Sequence, residues 1–301
     1  MRSLRPPRPA RQNAAPRRPE RRVRARGYWP AHDCRSPASL IDGTGGCTVK
    51  HWSEMSSRWH EDYERGRPGY PASAVRLLDD PGSKSVVELG AGTGKLTRLL
   101  VRDHAGVIAI EPDPEMRRWL TVLCPTAGLI AATAEEIPLA DRSVDAVFSA
   151  EAFHWFAHAR ALTEISRVLR PGGQLVLVWN RPAGRIEPPI PAVERLLKPH
   201  WPEDIEMPLD LDARRFPYAR DWPNAFADSA FEPLREIQLP NTQVVDGEGL
   251  VAFFGSMGWI SSLPRNTRSD LLDKVRELLT AAEYEMPFET YVYVTQLRQA
   301  T

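Results

Sequence analysis

The run Ser85-Val86-Val87-Glu88-Leu89-Gly90-Ala91-Gly92-Thr93-Gly94 restricts this chain more than any other part of it. Its β-branched half reads as a buried strand that stops in three alternating glycines. Leu96, Leu99 and Leu100 then fall at i, i+3 and i+4, the apolar stripe of a helix. A strand that turns through glycines into a helix points backbone N–H groups into the turn, and the missing Cβ atoms let a ligand approach closely. That is a nucleotide-binding geometry.

The alternation continues downstream. Val107 to Ile110 reads as a second strand ending at Glu111-Pro112, followed by a helix through Met116, Trp119, Leu120 and Leu123. Leu129 to Ala132 reads as a third strand and Val144 to Ser149 as a fourth. A helix marked by Leu162, Ile165 and Leu169 is closed by Pro171-Gly172-Gly173, and Gln174 to Trp179 is the fifth strand. Strands alternating with helices predict a parallel sheet covered on both faces, a doubly wound α/β fold. Residues 181–230 are Pro-rich and predict short helices over the open edge. Beyond them, Leu234 to Val245 predicts a strand, Leu250 to Met257 and Asp270 to Tyr284 two helices, and Thr290 to Val294 a closing strand.

Spacing narrows the ligand. A dinucleotide fingerprint requires G-x-G-x-x-G, but Gly94 is followed by Lys95-Leu96-Thr97, so the third glycine is misplaced. A P-loop requires Gly six residues before Lys and Ser or Thr just after it; Leu89 and Leu96 stand there. What the chain offers instead is an acid before the glycines, Glu88, and a second acid, Glu111, at the next strand end. The latter position suits both hydroxyls of a ribose, and acids beside the glycines suit positive charge in place of phosphate. The expected ligand is a cationic nucleoside.

On these residues the chain resembles the class I S-adenosylmethionine-dependent methyltransferases over about residues 55–180. The resemblance implies a Rossmann-like seven-stranded sheet with a helical cap insertion, a cofactor-binding core at about 84–180 and a cap at about 181–230. It implies that S-adenosylmethionine is the cofactor, with Gly90, Ala91 and Gly92 against its methionine part and Gly94 completing the loop. It places Glu88 beside the amino group, Glu111 on the ribose, Pro112 and Met116 around the adenine, and Ala134 and Glu135 at the adenine edge. Ser149, Glu151 and Ala152 would line the methyl-transfer mouth, and Val168 to Gly173 would be a structural turn. The run Asp145 to Phe156 looks like the subgroup containing trans-aconitate methyltransferases. Tyr63-Glu64-Arg65-Gly66-Arg67-Pro68-Gly69-Tyr70-Pro71 resembles that subgroup's cofactor cap, with Arg67 toward the carboxylate and Tyr63 or Trp59 toward the sulfonium. His154 and Glu151 are the candidate bases, needed for a phenol or acidic carbon and dispensable for a carboxylate acceptor. Acceptor identity is expected in 181–230 and near Trp259, with Arg181, Arg185, Arg214, Arg215 and Arg220 as candidates for an acidic substrate.

Charge separates the chain into unlike parts. The formal net charge is zero, yet residues 1–49 hold 11 Arg, no Lys and 3 acids, a surplus of +8 that leaves −8 for residues 50–301. Alternating Arg and Pro with few apolar residues predicts a disordered extension before a methyltransferase domain at 50–301. Three readings of the extension stand: an anionic-surface or nucleic-acid tail, a transit peptide, or an upstream stretch included by an early start. Cys34, Cys47 and Cys124 form no metal-spaced set, so a reducing cytoplasm without structural zinc is expected. No run has the roughly 18 apolar residues of a membrane helix. The expected partner is a small-molecule substrate; a nucleic acid is disfavoured by the acidic body and the lack of an Asn-Pro-Pro-Tyr motif. The oligomeric state is left open.

Overall fold

The computed structural model describes residues 57–78, 84–200 and 222–298. The extension at 1–49, Cys34, Cys47, Trp201, Arg214, Arg215 and Arg220 therefore lie outside the described residues. The first element is α1 (Ser57–Gly66), followed by β1 (Ser85–Leu89), α2 (Thr97–Asp103), β2 (Gly106–Ile110), α3 (Pro114–Leu123), β3 (Gly128–Ile130) and β4 (Val144–Ala150). Then come α4 (Ala159–Val168), β5 (Leu169–Pro182), α5 (Pro191–Leu197), β6 (Arg235–Val245), α6 (Gly247–Gly255), α7 (Gly258–Ser261), α8 (Arg265–Leu278) and β7 (Tyr284–Gln296). Among the described residues no helix is long and apolar enough to cross a membrane.

The seven strands form one sheet in the order β3-β2-β1-β4-β5-β7-β6. The first five run parallel, whereas β7 lies antiparallel to both β5 and β6, so the expected parallel sheet is a mixed one. Alternate side chains of the central strands serve opposite layers. Val147, Leu175, Leu177 and Trp179 pack with α4 on one face, and Phe148, Val176 and Val178 pack with Leu96 and Leu100 on the other. A separate apolar cluster joins α5, α6, α7 and α8 to Tyr284, Met286 and Phe288 of β7.

Several boundaries differ from expectation for local reasons. The third strand stops at Ile130 because its partner β2 ends at Ile110, leaving Ala131 and Ala132 no ladder to join. The last helix starts at Arg265, directly after Pro264, and ends at Leu278. Tyr284 is instead the first residue of β7, where Tyr284, Met286 and Phe288 are buried alternately, a period of two. Helix α4 ends at Val168, ahead of the Pro-Gly-Gly stop, and Leu169 already belongs to β5.

Strand order reverses between β1 and β4. In open α/β sheets the crevice for ligands lies outside the carboxyl ends of the strands at such a reversal. Here that crevice is bordered by the glycine loop after β1 and by Glu151 after β4.

Candidate functional site at the strand-order reversal

The glycines of the loop all have positive φ, but they meet different surroundings. Gly90, Gly92 and Gly94 have φ of +68°, +58° and +90°, a backbone region that other residues enter at a cost. A Cβ on Gly90 would stand 2.5 Å from the Ala152 Cβ, and one on Gly94 would stand 2.6 Å from the Cys124 Sγ and 2.7 Å from the Leu120 Cδ1. These two glycines let the loop pack on the segment after β4 and on α3. A Cβ on Gly92 would meet nothing within 4 Å, so this is the glycine whose face is open to a ligand.

Two acids flank the loop. Glu88 is 1% exposed, and its Oε2 accepts a 2.5 Å hydrogen bond from the Thr97 hydroxyl. Burial pushes its carboxyl up to about 8, with the Thr97 bond opposing and Glu111 reinforcing the shift. Glu111 accepts from the N–H groups of Gly92 and Asp113, each at 2.8 Å, and burial raises it to about 7 against those two bonds. Each Glu111 oxygen thus has one backbone donor and keeps a further lone pair. Asp113 caps α3 by accepting from the N–H groups of Glu115 and Met116. Pro112 fixes the turn, its carbonyl accepting from Arg117 at 2.6 Å, and Met116 is buried at the first turn of α3. Beyond β3, Ala134 is buried in the core and Glu135 lies 3.1 Å from the Nε2 of His158, the residue that caps α4.

Helix α1 and the residues directly after it are fastened at several points. Glu64 receives Arg98 at 2.8 Å, while Lys95 donates to its carbonyl at 2.6 Å. Burial lowers Lys95 to about 8. Arg67 donates through Nε to the Ser256 hydroxyl at 2.9 Å and through a terminal nitrogen to the Ser256 carbonyl at 3.0 Å. Its guanidinium lies 5.7 Å from the centre of the Tyr63 ring. Gly66 backs onto α6 so closely that a Cβ would stand 2.1 Å from the Phe253 backbone nitrogen. Tyr63 is pushed up to about 12 by burial, and Tyr70 is raised well above its ordinary value for the same reason, with Glu151 contributing to both.

The turn after β4 forms the opposite wall. Ser149 is fully buried, and its hydroxyl finds no hydrogen-bond partner among the described residues; the Thr93 hydroxyl in the glycine loop is in the same condition. Glu151 holds a left-handed backbone, φ +51°, uncommon for a residue with a side chain. Its Oε1 accepts a 2.6 Å bond from the Asn180 N–H, and burial raises its carboxyl to about 7. His154 follows in the short turn Phe153–Trp155, its ring 4.9 Å from that of Trp155, and burial pushes it down to about 4.

Asn180, Tyr70 and Ser256 carry parts of this site that sequence reasoning did not assign. The Asn180 side chain donates to the Gly69 carbonyl at 2.8 Å and accepts from Thr290 at 2.6 Å and Asn241 at 2.9 Å. One residue thereby anchors Glu151 through its backbone and the cap segment through its side chain. Its partners lie about 110 residues away in either direction or 61 residues on, so no local pattern signals the network.

Taken as a test of fit, the open face of Gly92, the orphaned Ser149 and Thr93 hydroxyls and the Glu88, Glu111 and Glu151 carboxyls suit a cationic nucleoside better than a phosphate. A phosphate would meet three carboxyls raised by burial, each penalised further by its charge.

Comparison with known proteins points the same way. A family model described as a methyltransferase domain matches residues 87–177. An uncharacterized methyltransferase of Mycobacterium tuberculosis is 37% identical over 217 residues, covering 72% of this chain and 82% of the relative. An uncharacterized methyltransferase-like protein of Schizosaccharomyces pombe is 33% identical over 222 residues, with the same two coverages. A chain from Anaeromyxobacter dehalogenans, solved as a candidate type II methyltransferase, superposes with a TM-score of 0.53 at 20% identity, covering 78% of this chain and 99% of that one.

Proposed function

The chain belongs to the class I S-adenosylmethionine-dependent methyltransferases, and from that premise we propose that it methylates a small-molecule acceptor at oxygen or carbon, a carboxylate included. The observation that carries this reading is the crevice itself: an open glycine face flanked by the buried acids Glu88 and Glu111 and the half-buried Glu151. When bound, S-adenosylmethionine supplies a methyl group already activated by the sulfonium charge. Glu88 would hold its amino group, Glu111 its ribose, Gly90 to Gly92 its methionine backbone, and Pro112, Met116, Ala134 and Glu135 its adenine. Gly94 serves by packing the loop against α3.

What the protein must do is align and dry the reacting groups. Orientation alone contributes up to about 7 to 11 kcal/mol without any protein nucleophile. The α1 cap, held by Glu64 and Arg67, excludes water from the crevice, and Tyr63 and Tyr70 line it with aromatic surface. A carboxylate acceptor needs no base. For a protic acceptor Glu151, near 7, holds a proton better at neutral pH than His154, near 4, which leaves His154 a positioning role beside Trp155.

The decisive experiment pairs calorimetric binding of S-adenosylmethionine with radiolabelled methyl transfer to a small-metabolite extract. Binding with no labelled product would favour a protein that retains the cofactor without turnover. Deleting residues 1–49 is expected to leave cofactor affinity and small-molecule transfer within about twofold. Loss of transfer to RNA or DNA on that deletion would instead make the acceptor a nucleic acid reached through the basic segment.

A further inference from the structure

We propose that Glu151 reads the charge of the cofactor, favouring the sulfonium form over the uncharged thioether left after transfer. The inference rests on the cofactor reading above. Glu151 follows β4, the strand facing β1 across the reversal, and its neighbour Ala152 sits against Gly90 of the glycine loop. Its left-handed backbone is bonded to the Val178 carbonyl at 2.9 Å and its Oε1 to the Asn180 N–H at 2.6 Å, so the carboxyl is fixed rather than free to swing to solvent. Among the described residues no other donor bonds to this carboxyl, which leaves Oε2 available.

The groups around Glu151 are few. From α1 comes Tyr63, from the segment after it Arg67 and Tyr70, and from β5 Arg181; Glu88 and Glu111 stand farther along the same crevice. Arg67 is bonded to Ser256 and the Arg181 guanidinium lies 4.8 Å from the Tyr291 ring centre, so the two cations reach Glu151 through space, where both favour its charged form, rather than through a hydrogen bond. A buried carboxylate without a bonded cation gains most from a ligand that brings its own charge. The two cofactor forms share amino, carboxylate, ribose and adenine groups, so contributions from Glu88 and Glu111 cancel in the ratio of their affinities. A charged group near the sulfur is what changes that ratio most. Methyl transfer removes the charge Glu151 favours, so the contribution of Glu151 to holding the spent cofactor is smaller than its contribution to holding the fresh one.

Calorimetric titration of the full chain with S-adenosylmethionine and with S-adenosylhomocysteine at pH 8.5 tests this directly, in the wild type and in Glu151→Gln. The amide keeps the shape and still accepts from Asn180, so the variant removes charge alone. The preference for the sulfonium form is expected to fall about tenfold in the variant. An unchanged ratio, with both ligands still binding, overturns the proposal while leaving the cofactor reading intact. Failure of the wild type to bind either ligand overturns both. Should Glu151→Gln not fold, the ratio is followed between pH 6 and 9 in the wild type and in Glu111→Gln, because Glu111 titrates in the same window: a rise through about 7 that persists in Glu111→Gln supports the role, and a ratio that is flat in the wild type, or loses its rise in Glu111→Gln, refutes it.

Discussion

Burying the Glu88 carboxyl costs the fold stability. A carboxyl whose folded pKa is raised from the usual carboxylate value to about 8 holds its proton in the native state across a range where the unfolded chain has released it. Stability therefore falls as pH rises from about 4.5 to 8, and the same holds for Glu111 up to about 7. Glu88→Gln is expected to stabilise the ligand-free protein at pH 8 by roughly 2 kcal/mol, about 4 to 8 °C in the thermal midpoint, with little gain at pH 4.5. The same change should weaken S-adenosylmethionine binding at least tenfold. Melting curves at the two pH values together with calorimetry check both signs, and a variant that binds as tightly as wild type would remove Glu88 from the site. The positions of Glu88 and Glu111 were legible in the sequence because Glu88 is the penultimate residue of β1, beside the glycine motif, and Glu111 directly follows β2. The partners Thr97 and Gly92 are 9 and 19 residues away, within reach of one β-α-β unit.

At the scale of elements, the segment that carries Tyr63 and Arg67 is held by a helix pair. Helix α1 lies on α6 through Gly66, and α8 reaches the same pair, where Arg268 donates to Asp62 at 2.6 Å. Gly66→Ala would drive a Cβ into the backbone of Phe253, and a loss of about 3 kcal/mol or more is expected. Gly69→Ala, three residues on, meets nothing within 4 Å and should be close to neutral, so the two variants separate packing from chain stiffness in a denaturant titration. Asn180→Ala removes the bonds to Gly69, Asn241 and Thr290 and leaves the buried Thr290 hydroxyl without that acceptor. A loss of about 2 to 3 kcal/mol is expected, with faster proteolysis near Gly69; unchanged proteolysis would mean that Asn180 does not hold the cap. Here the sequence was less informative. Tyr63 and Arg67 stand in a recognisable motif, whereas their contact surface, Ser256 and Phe253, lies almost 190 residues on and has only an apolar helix pattern to announce it.

For the whole molecule, alternation of strand and helix disclosed the parallel half, since each β-α unit is built from neighbours in sequence. The antiparallel half is different: β6 and β7 were legible as strands, but their order was not, because pairing between remote segments leaves no periodic signal. The placement of β7 bears on how such a chain comes to be active. It is the last described strand, yet it lies inside the sheet, between β5 and β6, and brings Thr290 to Asn180. During synthesis β5 and β6 emerge first with no ladder between them, and the wall that holds Glu151 and the cap lacks a hydrogen bond until residues 284–296 leave the ribosome. A chain interrupted before that point leaves the edge of β5 without its antiparallel partner.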